Sequence, residues 1–240
     1  MARLSIQAGP TKFHNLLRIL DNCGLLHRIY SQNVDGLEAK VGFDVFSMEK
    51  ARRCILLHGT IATVRCEKCA SVYMLENFLP LLKGGDSVDC PACLEKGREA
   101  NASEKRARAP GRLRPNILLF NEPCSMADEI AEASSGDLDL VQNKHVLLIS
   151  GTSLKIPGIK SILKGFINAM VPSKRTKCAI IYVDTSSKVP SILPEYTLHV
   201  QMDCQQFAEC AISRIKSQLS TRDDQYSAER RDFRPLWDWS

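Results

Sequence analysis

Two cysteine pairs, Cys66-Glu67-Lys68-Cys69 and Cys90-Pro91-Ala92-Cys93, constrain this chain more than any other feature. Each pair can offer two thiolates to one tetrahedral ion, and the intervening Ala70–Asp89 segment falls within zinc-ribbon spacing. A shell of four thiolates leaves no position for a substrate, so a zinc held this way is structural. Apparent binding of about 10–16 kcal/mol is enough to fold a module with little core of its own. The alternative is four buried thiols without metal. The chain carries ten cysteines in 240 residues. No apolar run is long enough to cross a bilayer, and MARLSIQAGP lacks the apolar core of a secretory signal. The expected setting is intracellular, where disulfides are rare, with no membrane partner. Cys23, Cys54, Cys124, Cys178, Cys204 and Cys210 lack metal spacing, and most read as small apolar fillers.

Around this module the pattern is that of an α/β protein. Phe13, Leu16, Leu17 and Leu20 fall at helical spacing after Pro10 and Thr11, which predicts an amphipathic helix from about residue 11. Short apolar runs predict strands at residues 28–31, 55–57, 116–120, 145–150 and 178–183, with a helix over 159–170. Continuous Ile, Leu and Val runs separated by helices mark a parallel sheet buried on both faces. Just beyond four of these strands stand the polar clusters QNVDG, HGT, GTS and DTS. Parallel sheets bind ligands outside the carboxyl ends of their strands, so a nucleotide-type site is the leading reading and ordinary turns the alternative. The expected organisation is residues 1–60 and 113–220 as two parts of a Rossmann-like domain, residues 61–112 as an inserted zinc-ribbon module, and residues 221–240 as a charged tail. A net charge of +5 permits an acidic partner without requiring one. The basic run Lys105–Arg112 has no interleaved aromatics to stack on bases. It reads as a solvated loop, with a nuclear-localisation patch as the second reading, and direct DNA binding is not expected.

Taken together, these pieces resemble the sirtuin family. The residues that carry the resemblance are Gly9-Pro10-Thr11-Lys12-Phe13-His14, Tyr30-Ser31-Gln32-Asn33-Val34-Asp35-Gly36-Leu37-Glu38, Leu57-His58-Gly59 and the two cysteine pairs. Arg114-Pro115-Asn116-Ile117-Leu118-Leu119-Phe120-Asn121-Glu122, Gly151-Thr152-Ser153-Leu154-Lys155 and Asp203-Cys204 continue it in the family's order. The match runs from about Pro10 to about Ile215, and its wording is similar to the fungal branch that acts on nuclear histones. The resemblance implies a Rossmann-like domain with a zinc module inserted and NAD as cofactor. It implies transfer of an acetyl group from protein lysine to the ADP-ribose part of NAD, with release of nicotinamide. The expected partner is an acetylated lysine protein of histone type, and the expected compartment is the nucleus, otherwise the cytoplasm. His58 matches the general base, a task suited to an imidazole with a pKa near neutrality. Gln32, Asn33, Val34 and Asp35 match the surroundings of the nicotinamide and its ribose. Gly151, Thr152, Ser153, Asp184, Asp203 and Cys204 match further cofactor contacts, the last two over the adenine. Ile117, Leu118, Leu119 and Phe120 match the wall along which substrate pairs. His14 reads as packing.

Three departures bear on this expectation. The family's glycine-rich phosphate loop, first strand and cofactor lid have no counterpart upstream of Pro10. Asp184 stands where Asn is usual, though a carboxylate can still accept from ribose hydroxyls. Asn121 replaces a usual Gly and tolerates left-handed backbone. A zinc scaffold that binds protein without catalysis is therefore the alternative to the enzyme, with a zinc-ribbon nucleic-acid binder as the third. Without backbone amides and a helix N-terminus for the pyrophosphate, residues 1–240 alone are expected to bind NAD poorly and to turn over little peptide. Calorimetric NAD titration alongside a peptide assay checks this. Micromolar binding with robust nicotinamide release overturns it.

Overall fold

Continuous apolar runs and helical spacing both leave their mark on the backbone. The computed structural model describes residues 7–45, 52–82, 87–104, 106, 108–119, 122–124, 126–141, 145–170 and 178–226, with side chains as far as residue 218. The chain divides into two compact units, Met1–Pro10 with Asp21–Leu140, and Thr11–Leu20 with Val141–Ser240. Among the described residues no helix is long and apolar enough to cross a membrane.

The first unit combines a parallel pair with an antiparallel sheet. Strand β1 (Ile29–Ser31) pairs in parallel with β2 (Cys54–Leu56), and the short helix α2 (Leu37–Lys40) lies between them in sequence. Cys54, Ile55 and Leu56 are all buried, as a strand covered on both faces requires. Strand β3 (Gly59–Cys66) then pairs antiparallel with β4 (Val72–Met74) on one side and β5 (Leu113–Ile117) on the other. Helices α3 (Leu79–Leu82) and α4 (Pro91–Ala102) complete the cysteine-bearing region, whose core is Val64, Cys66, Leu75, Cys90 and Leu113. Helix α5 (Ala127–Leu140) closes the unit.

One expectation is corrected here. The strand expected over residues 116–120 in the parallel sheet is instead β5, displaced toward the N-terminus and antiparallel to β3. Pro115, which suggests a break, sits within it. Pro115 lies at an edge strand and beside the register irregularity between Thr60 and Val64, where a missing amide donor is tolerated.

The second unit is built on β6 (Val146–Ser150), β7 (Ala179–Asp184) and β8 (Leu198–Gln201), all parallel in that order. Ile149, Leu154, Leu163, Ile180, Tyr182 and Leu193 form its core, with Leu163 contributed by α6 (Pro157–Ala169). Helix α1 (Lys12–Asn22) begins at the expected place. The His14 ring reaches back to the residue before the helix: Nδ1 accepts from the Thr11 amide at 3.3 Å and lies 2.8 Å from the Thr11 hydroxyl. His14 is buried, in keeping with its reading as packing. Gln205 Oε1 on the last helix, α7 (Cys204–Tyr226), accepts from the Phe13 amide at 3.0 Å. Of the six cysteines outside the pairs only Cys54 is fully buried. Cys23 and Cys210 are exposed, so the filler reading does not extend to them.

A buried ion cluster ties α5 to β1. The Asp137 carboxylate accepts from Arg28 Nε at 2.6 Å, Arg28 NH2 at 2.9 Å and the Tyr30 hydroxyl at 2.6 Å, with His27 Nε2 at 3.0 Å. Burial alone would raise the Asp137 carboxyl; Arg28, Tyr30 and His27 outweigh it and hold the group below its ordinary value. A lowered carboxyl stabilises the fold above the unfolded value near about 4, and that stability is lost as pH falls through the folded value. Asp137→Ala should cost about 3–5 kcal/mol, because it removes the carboxylate that pairs with the largely buried Arg28 guanidinium. Denaturant melts across pH 2–7 should show the wild type losing stability at the acid end and the variant losing much less. Equal acid slopes would mean that this carboxylate is not the group that titrates.

Candidate functional site

The four paired cysteines meet. Their sulfurs all lie within 4.8 Å of one another, with Cys66 to Cys93 at 3.8 Å and Cys69 to Cys90 at 3.6 Å. These separations are too long for a disulfide of about 2.05 Å. They match the edge of a tetrahedron around zinc, about 3.8 Å for Zn–S bonds of about 2.3 Å. Local folding explains the arrangement. Cys66 ends β3, and the amides of Lys68 and Cys69 turn back onto its sulfur, both at 3.4 Å. Cys90 caps α4, and its amide donates to the Gly111 carbonyl at 2.8 Å. A Cβ at Gly111 would stand 2.5 Å from Cys66 Sγ and 2.8 Å from Lys68 Cβ, so only glycine lets the chain pass there.

The thiols are not equivalent. The Ser71 hydroxyl chiefly draws Cys69 down to about 6. At Cys93 the Gly111 backbone lowers the thiol, but burial and the neighbouring sulfurs outweigh it and leave the group at about 11. A dication resolves the conflict by holding all four as thiolates. The donor set therefore fits a structural zinc.

The residues expected around nicotinamide converge in the first unit, at the carboxyl ends of the adjacent strands β1 and β2. His58 Nδ1 lies 3.0 Å from the Gln32 carbonyl. A carbonyl only accepts, so Nδ1 carries the proton and the neutral ring has its lone pair on Nε2. Among the described residues Nε2 makes no hydrogen bond. The His58 carbonyl accepts from the Leu118 amide at 2.9 Å, which fixes the residue from its other side. Gly59 follows at φ +73, where a Cβ would lie 2.2 Å from the Asn116 carbonyl oxygen.

Every residue from Gln32 to Asp35 is tied down. Gln32 O holds His58, the Asn33 amide donates to Ser31 Oγ at 3.1 Å, and Val34 O accepts from the Ile61 amide at 2.8 Å. Asp35 Oδ1 accepts from the Leu37 amide at 3.1 Å, so one carboxylate oxygen serves the turn. The Asn33 carboxamide is exposed, with no hydrogen bond among the described residues.

A cavity of about 330 Å³ opens beside His58, lined also by Ile117, Leu118, Arg114 and Glu122. Glu122 braces its wall: one carboxylate oxygen accepts from Arg114 NH2 at 2.6 Å and the other from the Leu119 amide at 3.0 Å. These bonds, the Leu119 amide foremost, hold its carboxyl below the ordinary value. Leu119 is exposed, and Phe120 lies outside the described residues.

The remaining candidates gather in the second unit, beyond the carboxyl ends of β6 and β7. Gly151 follows β6 at φ +65, with its amide donating to the Val183 carbonyl at 3.3 Å. Thr152 Oγ1 accepts from the Leu154 amide at 3.2 Å, and Ser153 is exposed. Cys204 Sγ accepts from the Ser150 hydroxyl at 3.0 Å, and a Cβ on Gly151 would touch it at 3.5 Å. Asp184 ends β7, its Oδ1 accepting from the Ser186 amide at 2.7 Å. Asp203 caps α7 through the Gln205 amide at 2.7 Å. One of its carboxylate oxygens, Oδ1, thus serves the helix.

Comparison with known proteins now decides the family. The sequence profile of the Sir2 family matches residues 1–158. The chain belongs to the Sir2 family. It is 34% identical over 218 residues to the NAD-dependent histone deacetylase HST4 of Saccharomyces cerevisiae, covering 85% of this chain and 57% of that one. It is 32% identical over 229 residues to the NAD-dependent protein deacetylase hst4 of Schizosaccharomyces pombe, covering 90% and 51%. The chain therefore spans little more than half the length of these relatives. A solved Sir2 structure with p53 peptide and NAD+ superposes with a TM-score of 0.62 at 21% identity, covering 88% of this chain and 72% of that one. The Sir2 fold, α/β with a parallel sheet and a four-cysteine module, is thus shared.

Sequence reasoning about this Sir2-family chain passed over Gly111 and gave no role to Ser31, Glu38 or Glu122. Gly111 has no motif spacing that would single it out. Purified protein should hold one zinc per chain, and Gly111→Ala should weaken it about 10–100-fold, as disturbance next to a ligand shell does. Metal analysis and competition with a chromogenic chelator measure both. Folded, never-chelated protein without zinc would exclude the metal reading.

Proposed function

We propose that this Sir2-family chain carries the catalytic region of an NAD-dependent protein-lysine deacetylase acting on a histone-type substrate in the nucleus. The observation that carries the reading is the His58 ring, whose Nδ1 is committed to the Gln32 carbonyl at 3.0 Å. That bond leaves Nε2 as the basic atom of a residue that lines a cavity of about 330 Å³. Family membership and the deacetylases among its relatives support the same reading.

The residues take on roles in keeping with their chemistry. His58 Nε2 accepts a proton from a hydroxyl placed in the cavity, and the Gln32 carbonyl stabilises the imidazolium that results. The exposed Asn33 carboxamide and the Asp35 carboxylate can read a nicotinamide carboxamide, which offers both donors and an acceptor. Ile117, Leu118 and Leu119, braced by Glu122, form the edge along which an extended acetyl-lysine segment pairs. Gly151, Thr152, Ser153, Asp184, Asp203 and Cys204 are assigned to the remainder of the cofactor. NAD, when bound, supplies the ribose that accepts the acetyl group and the nicotinamide that leaves. Zinc on Cys66, Cys69, Cys90 and Cys93 holds the module and takes no part in the chemistry.

In a chain extended at its N-terminus by the family's glycine-rich loop, His58→Ala should lower nicotinamide release from an acetylated histone peptide about 100- to 10,000-fold. Zinc content and melting temperature should stay unchanged. Near-full turnover by the variant removes His58 as the base. An inactive extended wild type that still binds peptide favours the non-catalytic scaffold.

A further inference from the structure

Glu38 stands behind the loop 32–35 and has no surface role. It is 2% exposed, in the first turn of α2. Its Oε1 accepts a hydrogen bond from the Ser31 hydroxyl, and Ser31 is itself buried. The same Ser31 oxygen accepts from the Asn33 amide at 3.1 Å. Asn33 N–H, Ser31 O–H and the Glu38 carboxyl oxygen thus form one directed chain, each donor pointing toward the buried carboxyl. The second carboxylate oxygen, Oε2, is buried with no hydrogen-bond partner among the described residues.

Fold stability does not explain such a group. A buried carboxylate with an unpartnered oxygen is a cost, and an apolar residue of similar volume in its place is often neutral or stabilising. Among the described residues the donor that reaches Glu38 is Ser31, the last residue of β1, and its hydroxyl oxygen in turn accepts from the Asn33 amide. By taking the Ser31 proton, the Glu38 carboxyl oxygen orients the hydroxyl lone pair that receives the second bond. Asn33 then has a fixed backbone and an exposed side chain, the combination a recognition residue needs.

We propose that Glu38 is a positioning residue for the nicotinamide end of the site. Acting through the Ser31 hydroxyl, it fixes the Asn33 amide and so aims the Asn33 carboxamide. This rests on the reading of residues 32–35 as nicotinamide contacts. Ser31→Ala breaks the chain at its middle, Glu38→Leu removes its acceptor, and Glu38→Gln keeps a carbonyl oxygen for Ser31.

The test uses this chain with two readouts. Hydrogen exchange reports the Asn33 amide, and NMR titration with nicotinamide alone reports the site. In Ser31→Ala and Glu38→Leu the Asn33 amide should exchange about tenfold faster, the size of one lost hydrogen bond. Nicotinamide affinity should fall about ten- to a hundredfold, with zinc content unchanged. Glu38→Gln should restore slow exchange. Should Glu38→Leu fail to fold, Ser31→Ala carries the test alone. Unchanged exchange and unchanged nicotinamide affinity in Ser31→Ala overturn the inference. A wild-type Asn33 that does not respond to nicotinamide overturns instead the reading of the loop on which it rests.

Discussion

Four sulfurs gathered within 4.8 Å are the constraint on which the first unit depends. Two of the five buried residues at the heart of its cysteine-bearing region, Cys66 and Cys90, are themselves members of that group. Without a counter-charge the core would be built around competing thiols. The consequence reaches beyond the module because β3 runs from Gly59 to Cys66. One continuous strand, about 23 Å long, joins the metal position to the residue directly after His58. Whatever steadies Cys66 steadies the antiparallel sheet. Just past the end of β5, the Leu118 amide holds the His58 carbonyl.

Electrostatics in this unit is arranged in two places with different ends. At Asp137 every carboxylate oxygen is satisfied by Arg28, Tyr30 and His27, and the charge joins α5 to β1. At Glu38 one oxygen is left over among the described residues, and the carboxyl holds, through Ser31, a loop whose Asn33 side chain is exposed. The first pattern is that of a structural tie. The second spends stability on orientation, which is common where a protein must hold a polar group ready for a ligand.

The sequence made much of this plain because its strongest signals were local. Paired cysteines at ribbon spacing, and apolar runs ending in QNVDG, HGT, GTS and Asp184, needed no tertiary information to be placed. What escaped was long-range or weakly periodic. Strand β8 is four residues long, and α5 is rich in Asp, Glu, Ser and Gly, so neither offered a clear apolar face. Asp137 looks like one more acidic residue until Arg28 and Tyr30 come to it from over a hundred positions away. The run at 116–120 looked like a buried parallel strand because Leu118 and Leu119 are apolar. In the fold they follow the strand, and Pro115 sits within it at the tolerant edge. Glu38 was visible only as part of a motif, because burial of a carboxylate leaves no mark in the sequence itself.

Gly59 carries a consequence at the level of inheritance. Its φ of +73 and the Asn116 carbonyl oxygen 2.2 Å from where a Cβ would stand leave room for hydrogen alone. Any single-base change in a glycine codon either is silent, stops translation, or introduces a residue with a Cβ. The position next to the candidate base therefore has no conservative neighbour in the genetic code. Lineages carrying this site can drift there only in synonymous bases, unless the Asn116 segment moves first.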